Sequence, residues 1–119
     1  MIGGKPSRAR RIVLRNNGIQ SRYYSLKASG ELSHSNADMV LQAVKGLDID
    51  NQEIDFLSCG TSATDQTLPS HTAMVHGLMD RPMEIVSPSG ACCSGIHAMK
   101  FGYLSIKSGE TSNAVTSGS

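Results

Sequence analysis

The chain has 119 residues, of which 39% are hydrophobic and 18% charged, and this balance excludes a disordered or fibrous protein. Its formal net charge is +1, but five bases and no acid lie within the first 15 residues. The three cysteines show no spacing typical of a disulfide framework or a zinc site, so we expect reduced thiols in a cytoplasmic protein. No apolar run has the length of a signal peptide or a membrane span, and we expect neither a membrane nor nucleic acid as a partner.

The first third of the chain predicts a short basic helix followed by a strand. A proline and Ser7 are typical of a helix start, so we predict a helix over residues 7–14. The Asn-Asn-Gly break at residues 16–18 ends it. Residues 19–25 are then predicted to form a strand, and residues 27–33 a surface loop.

The basic residues of this helix fall on one side of it. Arg8, Arg11 and Arg15 recur at spacings of three and four, so they share a helix face. With Lys5 and Arg10 they form a basic arm on a mildly acidic body, which indicates an anionic partner near the arm. A solvated helix face is an equally good interpretation of the charges alone.

The middle of the chain alternates helices with strands. A helix opening at Ser35 is indicated by an acid in its first turn and by apolar residues at helical spacing, namely Ala37, Val40, Leu41, Val44 and Leu47. Short apolar strands are predicted at residues 54–59 and 84–87, with a helix at 69–79 between them. Residues 60–66 form a polar loop after the first of these strands.

The last part of the chain predicts a long apolar helix. A turn at residues 88–90 leads into a helix at 93–108, and a strand follows at 113–117. A helix that is apolar on most sides is buried on most sides. Gly95 and Gly102 are seven residues apart and mark a stripe where another backbone approaches closely.

This order of elements predicts the fold class and the place of a site. Strands separated by helices favour parallel pairing, so we expect an α/β fold with a mixed or mainly parallel sheet and a buried central helix starting at Cys93. Ligands of such sheets gather at the carboxyl ends of strands. Two loops, at residues 60–66 and 88–94, leave such ends.

The second of these loops carries the candidate nucleophile. Unpaired N–H groups and the helix dipole favour negative charge at a helix start, and thus the thiolate form of Cys93. A thiolate attacks a thioester carbonyl, and the same N–H groups can stabilise the resulting oxyanion. The competing interpretation is that Cys92 and Cys93 are small buried hydrophobic residues. The pattern alone leaves both open.

Four successive motifs resemble the β-ketoacyl-acyl-carrier-protein synthase III family of condensing enzymes. They are Thr61-Ser62-Ala63-Thr64, Leu68-Pro69-Ser70, Ala91-Cys92-Cys93-Ser94-Gly95 and Ile106-Lys107-Ser108-Gly109. Earlier, Asn17-Gly18-Ile19 followed by Arg22 resembles the family's Gly-Ile segment. The resemblance covers nearly the whole chain from residue 16, and the order and spacing of the motifs carry it.

The resemblance implies a thiolase-like fold of two similar halves, of which residues 1–119 form a partial N-terminal half. Cys93 occupies the nucleophile position and accepts an acyl group, which a carbanion from malonyl-carrier protein then attacks in a decarboxylative Claisen condensation. The family's catalytic His and Asn come from the second half, so we expect this chain to be inactive alone. His97 matches a non-catalytic position, and neither a cofactor nor a metal is implied.

The resemblance also implies partners. The family residue that matches Leu68 lines the acyl pocket of the other subunit of a homodimer; alternatively, Leu68 starts the next helix and packs locally. Family members that use acyl-CoA carry a Trp about where Ile12 stands, and this chain has none. The face formed by Arg8, Arg11 and Arg15 is therefore expected to meet an acyl carrier protein rather than CoA.

Two alternative functions stay open. One is another thiolase-superfamily enzyme, such as a hydroxymethylglutaryl-CoA synthase or a degradative thiolase. The other is a non-catalytic interaction subunit that keeps the fold. Within the main interpretation, residues 6–11 with Arg22-Tyr23-Tyr24 also resemble a branch that builds aryl lipids.

Overall fold

The described residues, 8–21, 23–50 and 53–119, form four α-helices and three β-strands in the computed structural model. In chain order these are α1 Arg8–Asn17, α2 Asn36–Lys45, β1 Phe56–Gly60, α3 His71–Gly77, β2 Glu84–Val86, α4 Ser94–Ser108 and β3 Ala114–Gly118. A 3-10 turn, Ala91–Cys93, directly precedes α4. The predicted bounds of α3, α4 and the three strands differ from these by no more than two residues at either end.

The sheet has the order β2-β1-β3, and both pairs of strands are parallel. Ser58 in β1 lies opposite both Val86 of β2 and Thr116 of β3. The β1–β2 and β2–β3 connections run in opposite directions across the sheet, so right-handed crossovers place their helices on opposite faces. The prediction of an α/β fold with a mainly parallel sheet is confirmed.

One face of the sheet packs against α2 and α3 through aliphatic side chains. Leu57 and Cys59 project from β1 into this layer, and they are 0% and 1% exposed. The buried residues of this core are Ala37, Val40, Val44, Ile54, Leu57, Cys59, Val75 and Val115. Since side chains alternate across a strand, Phe56, Ser58 and Gly60 face the opposite layer.

The opposite face packs against α4 through small residues. The buried positions of α4 are Ser94, Ala98, Gly102 and Ser105. Large apolar side chains on its other sides are exposed, including Ile96 at 65% and Met99 at 59%. The expectation that this helix is buried on most sides is therefore wrong for the described chain, because the sheet covers only one side of it.

The start of α2 is fixed by a reciprocal cap. The backbone N–H of Asp38 donates to the Ser35 hydroxyl at 3.0 Å, and the Ser35 N–H donates to the Asp38 carboxylate at 3.1 Å. Hydrogen bonds from the Ser35 hydroxyl and backbone lower the pKa of the Asp38 carboxyl. The predicted helix opening is confirmed. The predicted Leu47 lies beyond the end of α2, where it is exposed.

The strand predicted at residues 19–25 is wrong for the described residues 19–21 and 23–25, which form no strand. An isolated antiparallel bridge joins Leu26 to Leu32 instead. Tyr23, at 98% exposed, has no sheet to pack against. A strand needs a hydrogen-bonded neighbour, and local side-chain pattern cannot supply one. The predicted loop at residues 27–33 is confirmed, with Lys27 N–H donating to the Glu31 carbonyl at 2.8 Å.

The basic helix is confirmed as α1, and it extends three residues past its predicted end at Leu14. Its predicted start at Ser7 lies outside the described residues, as does Lys5. Residues 9–17 of this helix are all exposed. Gly18, with φ 68°, ends the helix in the left-handed region that glycine adopts readily.

Asp55, the one acid in the predicted strand at 54–59, forms hydrogen bonds to residues at the starts of the two neighbouring strands. Its carboxylate accepts hydrogen bonds from the N–H groups of Ser112 and Asn113 at 3.0 and 3.2 Å. Its backbone carbonyl accepts one from Glu84 at 3.0 Å. The polar interruption of this strand therefore holds the amino ends of all three strands in register.

Candidate active site

The three strands end at one edge of the sheet, next to the turn that carries Cys93. Just after β3, the N–H of Ser119 donates to the carbonyl of Gly60 at the end of β1, at 3.0 Å. β2 ends at Val86, and residues 87–90 lead into the 3-10 turn that carries Cys93. The edge therefore brings together the loops that follow β1 and β2, where ligands of parallel sheets bind.

The turn that carries Cys93 is held by three local hydrogen bonds. The Cys93 N–H donates to the Gly90 carbonyl at 2.9 Å, and the Ser94 N–H donates to the Ala91 carbonyl. The Ser94 hydroxyl donates to the same Ala91 carbonyl at 2.7 Å. Ala91 has φ 47°, in the left-handed region that costs an L residue free energy, so the turn stores backbone strain.

Cys93 is the N-cap residue of α4, and its side chain makes no capping hydrogen bond. Both Cys92 and Cys93 are exposed, so the interpretation that they are buried hydrophobic residues does not hold for the described chain. The expectation of unpaired N–H groups here is wrong for Cys93 and Ser94, because the turn uses both. An oxyanion would meet the partial positive charge of the α4 N-terminus without these two donors.

A glycine at the end of β1 allows α4 to start very close to the sheet. A Cβ on Gly60 would overlap the backbone carbonyl of Ser94. A Cβ on Gly95, the next residue of α4, would lie 3.0 Å from the Gly118 Cα of β3. The start of α4 is thus seated backbone against backbone on β1 and β3, as predicted for Gly95, and this seating fixes the position of Cys93.

The third cysteine lies in a contrasting environment at the same edge. Cys59 is buried in β1, and burial raises the pKa of its thiol, although hydroxyl groups of Ser117 and Thr72 act in the opposite direction. Its N–H donates to the Thr72 hydroxyl at 3.0 Å, and that hydroxyl donates to the Val86 carbonyl at 2.8 Å. Cys59 is therefore a core residue with a protonated thiol.

His97 lies one turn into α4 and packs against the loop. Its Nδ1 is 3.3 Å from the Ser89 carbonyl. A Cβ on Gly90 would lie 2.5 Å from the same Nδ1, so the imidazole covers the glycine backbone. These contacts give His97 a role in holding the 87–90 loop.

A polar network that the sequence did not reveal joins the loop after β1 to the start of α2. The Asp65 carboxylate accepts hydrogen bonds from the N–H groups of Asn36 and Ala37 at 2.7 and 2.9 Å. The Asn36 amide donates to the Thr61 hydroxyl at 3.0 Å and to the Ala63 carbonyl at 2.8 Å. These partners are 25 or more residues apart in the chain, so no periodic sequence pattern predicts their contact. The only general indication is that the first N–H groups of a helix lack partners within the helix and need an acceptor.

His71, the first residue of α3, is buried at the same edge with 3% exposure. Its Nε2 is 3.5 Å from the Ser119 hydroxyl, and its Nδ1 has no hydrogen-bond partner among the described residues. Burial lowers the pKa of His71, and the nearby Asp65 carboxylate acts in the opposite direction. The neutral imidazole is thus the form that the fold accommodates.

The other predicted site residues belong to other parts of the chain. Leu68 is 82% exposed in the loop before α3, and that helix starts only at His71, so Leu68 does not pack locally. Arg11 and Arg15 are exposed on α1, and Arg8 belongs to the same helix, although its side chain is outside what the structure describes.

No protein-family model matches the chain, and a comparison with curated proteins gives no significant match. Within residues 8–21, 23–50 and 53–119, no cluster of three or more His, Cys, Asp or Glu side chains is arranged to hold a metal ion. In that same part of the chain, every helix is too short or too polar to cross a membrane.

Proposed function

We propose that the chain supplies the nucleophile of a condensing enzyme of the β-ketoacyl-acyl-carrier-protein synthase III type. The observation that carries the proposal is the place of Cys93. Its thiol is exposed at the start of a 15-residue helix, beside the carboxyl ends of three parallel strands. The motifs around Cys93, Leu68 and Thr61 support the same class of enzyme, through their resemblance to that family.

In the proposed reaction, the Cys93 thiolate attacks the carbonyl carbon of an acyl thioester. The C–S bond to the carrier breaks, the carrier leaves as a thiol, and the acyl group stays on Cys93. Malonyl-carrier protein then loses CO₂, and the resulting carbanion attacks the acyl-Cys93 carbonyl. The product is a 3-oxoacyl-carrier protein with Cys93 restored. This chain contributes the thiol and the positive end of α4, which favours the negative charge that develops there.

We also propose that a second half of the enzyme covers the outer sides of α4. Ile96, Met99 and Tyr103 are between 59% and 65% exposed, and such an apolar surface is typical of a protein interface. The thiolase-like fold implied by the resemblance would place its second half there, together with the catalytic His and Asn. The function is therefore tested on the complete enzyme.

The test measures CO₂ release and 3-oxoacyl product from malonyl-carrier protein and an acyl donor. Cys93→Ala should reduce condensation to the uncatalysed background. Cys92→Ala, a matched change one residue away, should keep most of the wild-type rate. A Cys93→Ala enzyme that still condenses at the wild-type rate contradicts the proposal.

The exposed face of α1 is proposed to contact an acidic acyl carrier protein. Arg11 and Arg15 are exposed and lie one turn apart, and a basic stripe steers an acidic partner toward the site. Each exposed ion pair contributes only about 0.2–1 kcal/mol, so both arginines are changed together. Arg11→Glu with Arg15→Glu should raise the KM for the carrier-protein substrate several-fold. The rate at which a small reagent alkylates Cys93 should stay unchanged. Lys27→Glu is the matched control away from α1. An unchanged KM at low salt excludes this role.

The exposed Leu68 is proposed to reach the acyl pocket of a second subunit in a homodimer. Its 82% exposure leaves the side chain available for such a contact. Leu68→Trp should shift the enzyme toward shorter acyl donors, because the larger side chain occupies part of the pocket. Unchanged chain-length preference would count against the pocket role.

A further inference from the structure

The 3-10 turn before α4 presents two free thiols where a nucleophile needs only one. Cys92 and Cys93 are consecutive, both are exposed, and neither forms a disulfide. The remaining cysteine, Cys59, is 1% exposed in the core and cannot compete for reagents in solution. The turn therefore carries two accessible thiols on consecutive residues.

Geometry disfavours a direct bond between these two sulfur atoms. Consecutive Cα atoms are about 3.8 Å apart across a trans peptide, whereas disulfide-linked Cα atoms are usually about 4.4–6.8 Å apart. The turn is also held by the 2.9 Å bond from Cys93 N–H to the Gly90 carbonyl. A third atom placed between the sulfurs enlarges the ring and removes most of this strain, so the pair suits an acceptor that takes two thiolates at once.

We propose that Cys92 and Cys93 form a dithiol site for trivalent arsenicals. Thiolates are soft ligands and bind soft acceptors in preference to hard ones. With a monosubstituted arsenic(III) oxide, two As–S bonds form, the arsenic–oxygen bond breaks, and the two thiol protons leave with the oxygen as water. Arsenic stays trivalent, so no oxidant or reductant is needed.

The second As–S bond forms within one molecule, which makes the pair a much better ligand than either thiol alone. An intramolecular second contact raises affinity by roughly 10²-fold or more. Occupancy would also block Cys93 toward acyl donors. Binding itself requires only the two thiols, so it goes beyond the proposed condensing activity and can succeed or fail separately from it.

The experiment treats the complete protein with one equivalent of phenylarsine oxide in the presence of millimolar glutathione and records the intact mass. Wild type should retain one phenylarsenic group, which 2,3-dimercaptopropanol removes and glutathione does not. Cys92→Ser and Cys93→Ser should each lose roughly 10²-fold in affinity, since each leaves a single accessible thiol. Cys59→Ser is the matched control and should bind as wild type does.

Alkylation mapping of the wild-type protein gives a second measurement that does not depend on the folding of variants. The bound arsenical should protect Cys92 and Cys93 together from iodoacetamide, and Cys59 should react only after denaturation. Retention of the arsenical by Cys92→Ser under glutathione, or protection of Cys59 instead of the pair, overturns the proposal. Failure of acylation at Cys93 with intact arsenical binding would contradict only the proposed condensing function.

Discussion

The two faces of the sheet are held by different kinds of contact. On one face, Leu57 and Cys59 of β1 pack among aliphatic side chains from α2 and α3. On the other, Gly60 and Gly95 let the backbone of α4 approach the backbone of β1 and β3. The first face supplies hydrophobic stabilisation, and the second determines where α4 begins. Stability and the position of Cys93 should therefore respond to different substitutions.

The largest effect on stability should come from the aliphatic face. Leu57 is 0% exposed, so Leu57→Ala removes buried methyl groups and leaves a cavity, which costs about 2–5 kcal/mol of unfolding free energy. Urea unfolding measures this loss, and Leu47→Ala at an exposed position is the control. The alkylation rate of Cys93 in the folded variant should stay at the wild-type value. A large change in that rate would contradict the claim that the aliphatic face sets stability without positioning Cys93.

A smaller loss of stability, but a larger effect on the site, should follow from Gly60→Ala. The added Cβ overlaps the Ser94 carbonyl, so α4 must shift, at a cost of about 1–3 kcal/mol. The same shift should change the alkylation rate of Cys93. Gly77→Ala adds a Cβ in open space and serves as the control. Wild-type reactivity of Cys93 in Gly60→Ala would show that the close seating does not position the thiol.

The smallest effect should be a pH dependence set by His71 at the edge between the faces. Burial lowers the pKa of His71 in the folded state, so the unfolded state binds more protons as pH falls below about 6.5. Stability present above that pH is therefore lost as pH falls through it. His71→Gln should lose less stability than wild type between about pH 7 and pH 5. Equal pH slopes for wild type and His71→Gln would exclude the effect.

Sequence reasoning succeeded where the signal was local or periodic. The helix start at Ser35 and the alternation of helices with strands that gives a parallel sheet both follow from neighbouring residues. It failed at residues 19–25, where the described residues have no strand to pair with. The prediction that α4 is buried on most sides was also wrong for the described chain. The composition of a helix shows which side chains favour burial, but it does not show which elements cover them.

The candidate site was predictable in part for the same reason. The placement of Cys93 at a helix start is a local feature, and the structure has it. The hydrogen bonds that use the N–H groups of Cys93 and Ser94 depend on the 3-10 turn and its positive-φ Ala91, which the residue types did not indicate. The link from Asp65 to the start of α2 spans 28 or more residues and appears only in the folded chain.

The most direct test of the account is to find which cysteine becomes acylated. The complete protein is incubated with an acyl-carrier protein donor, digested at low pH to preserve the thioester, and mapped by mass spectrometry. We expect the acyl group on Cys93, with Cys92 and the buried Cys59 unmodified, and a strongly reduced yield in Gly60→Ala. Acylation of Cys92 or Cys59 while Cys93 remains a free thiol would contradict it.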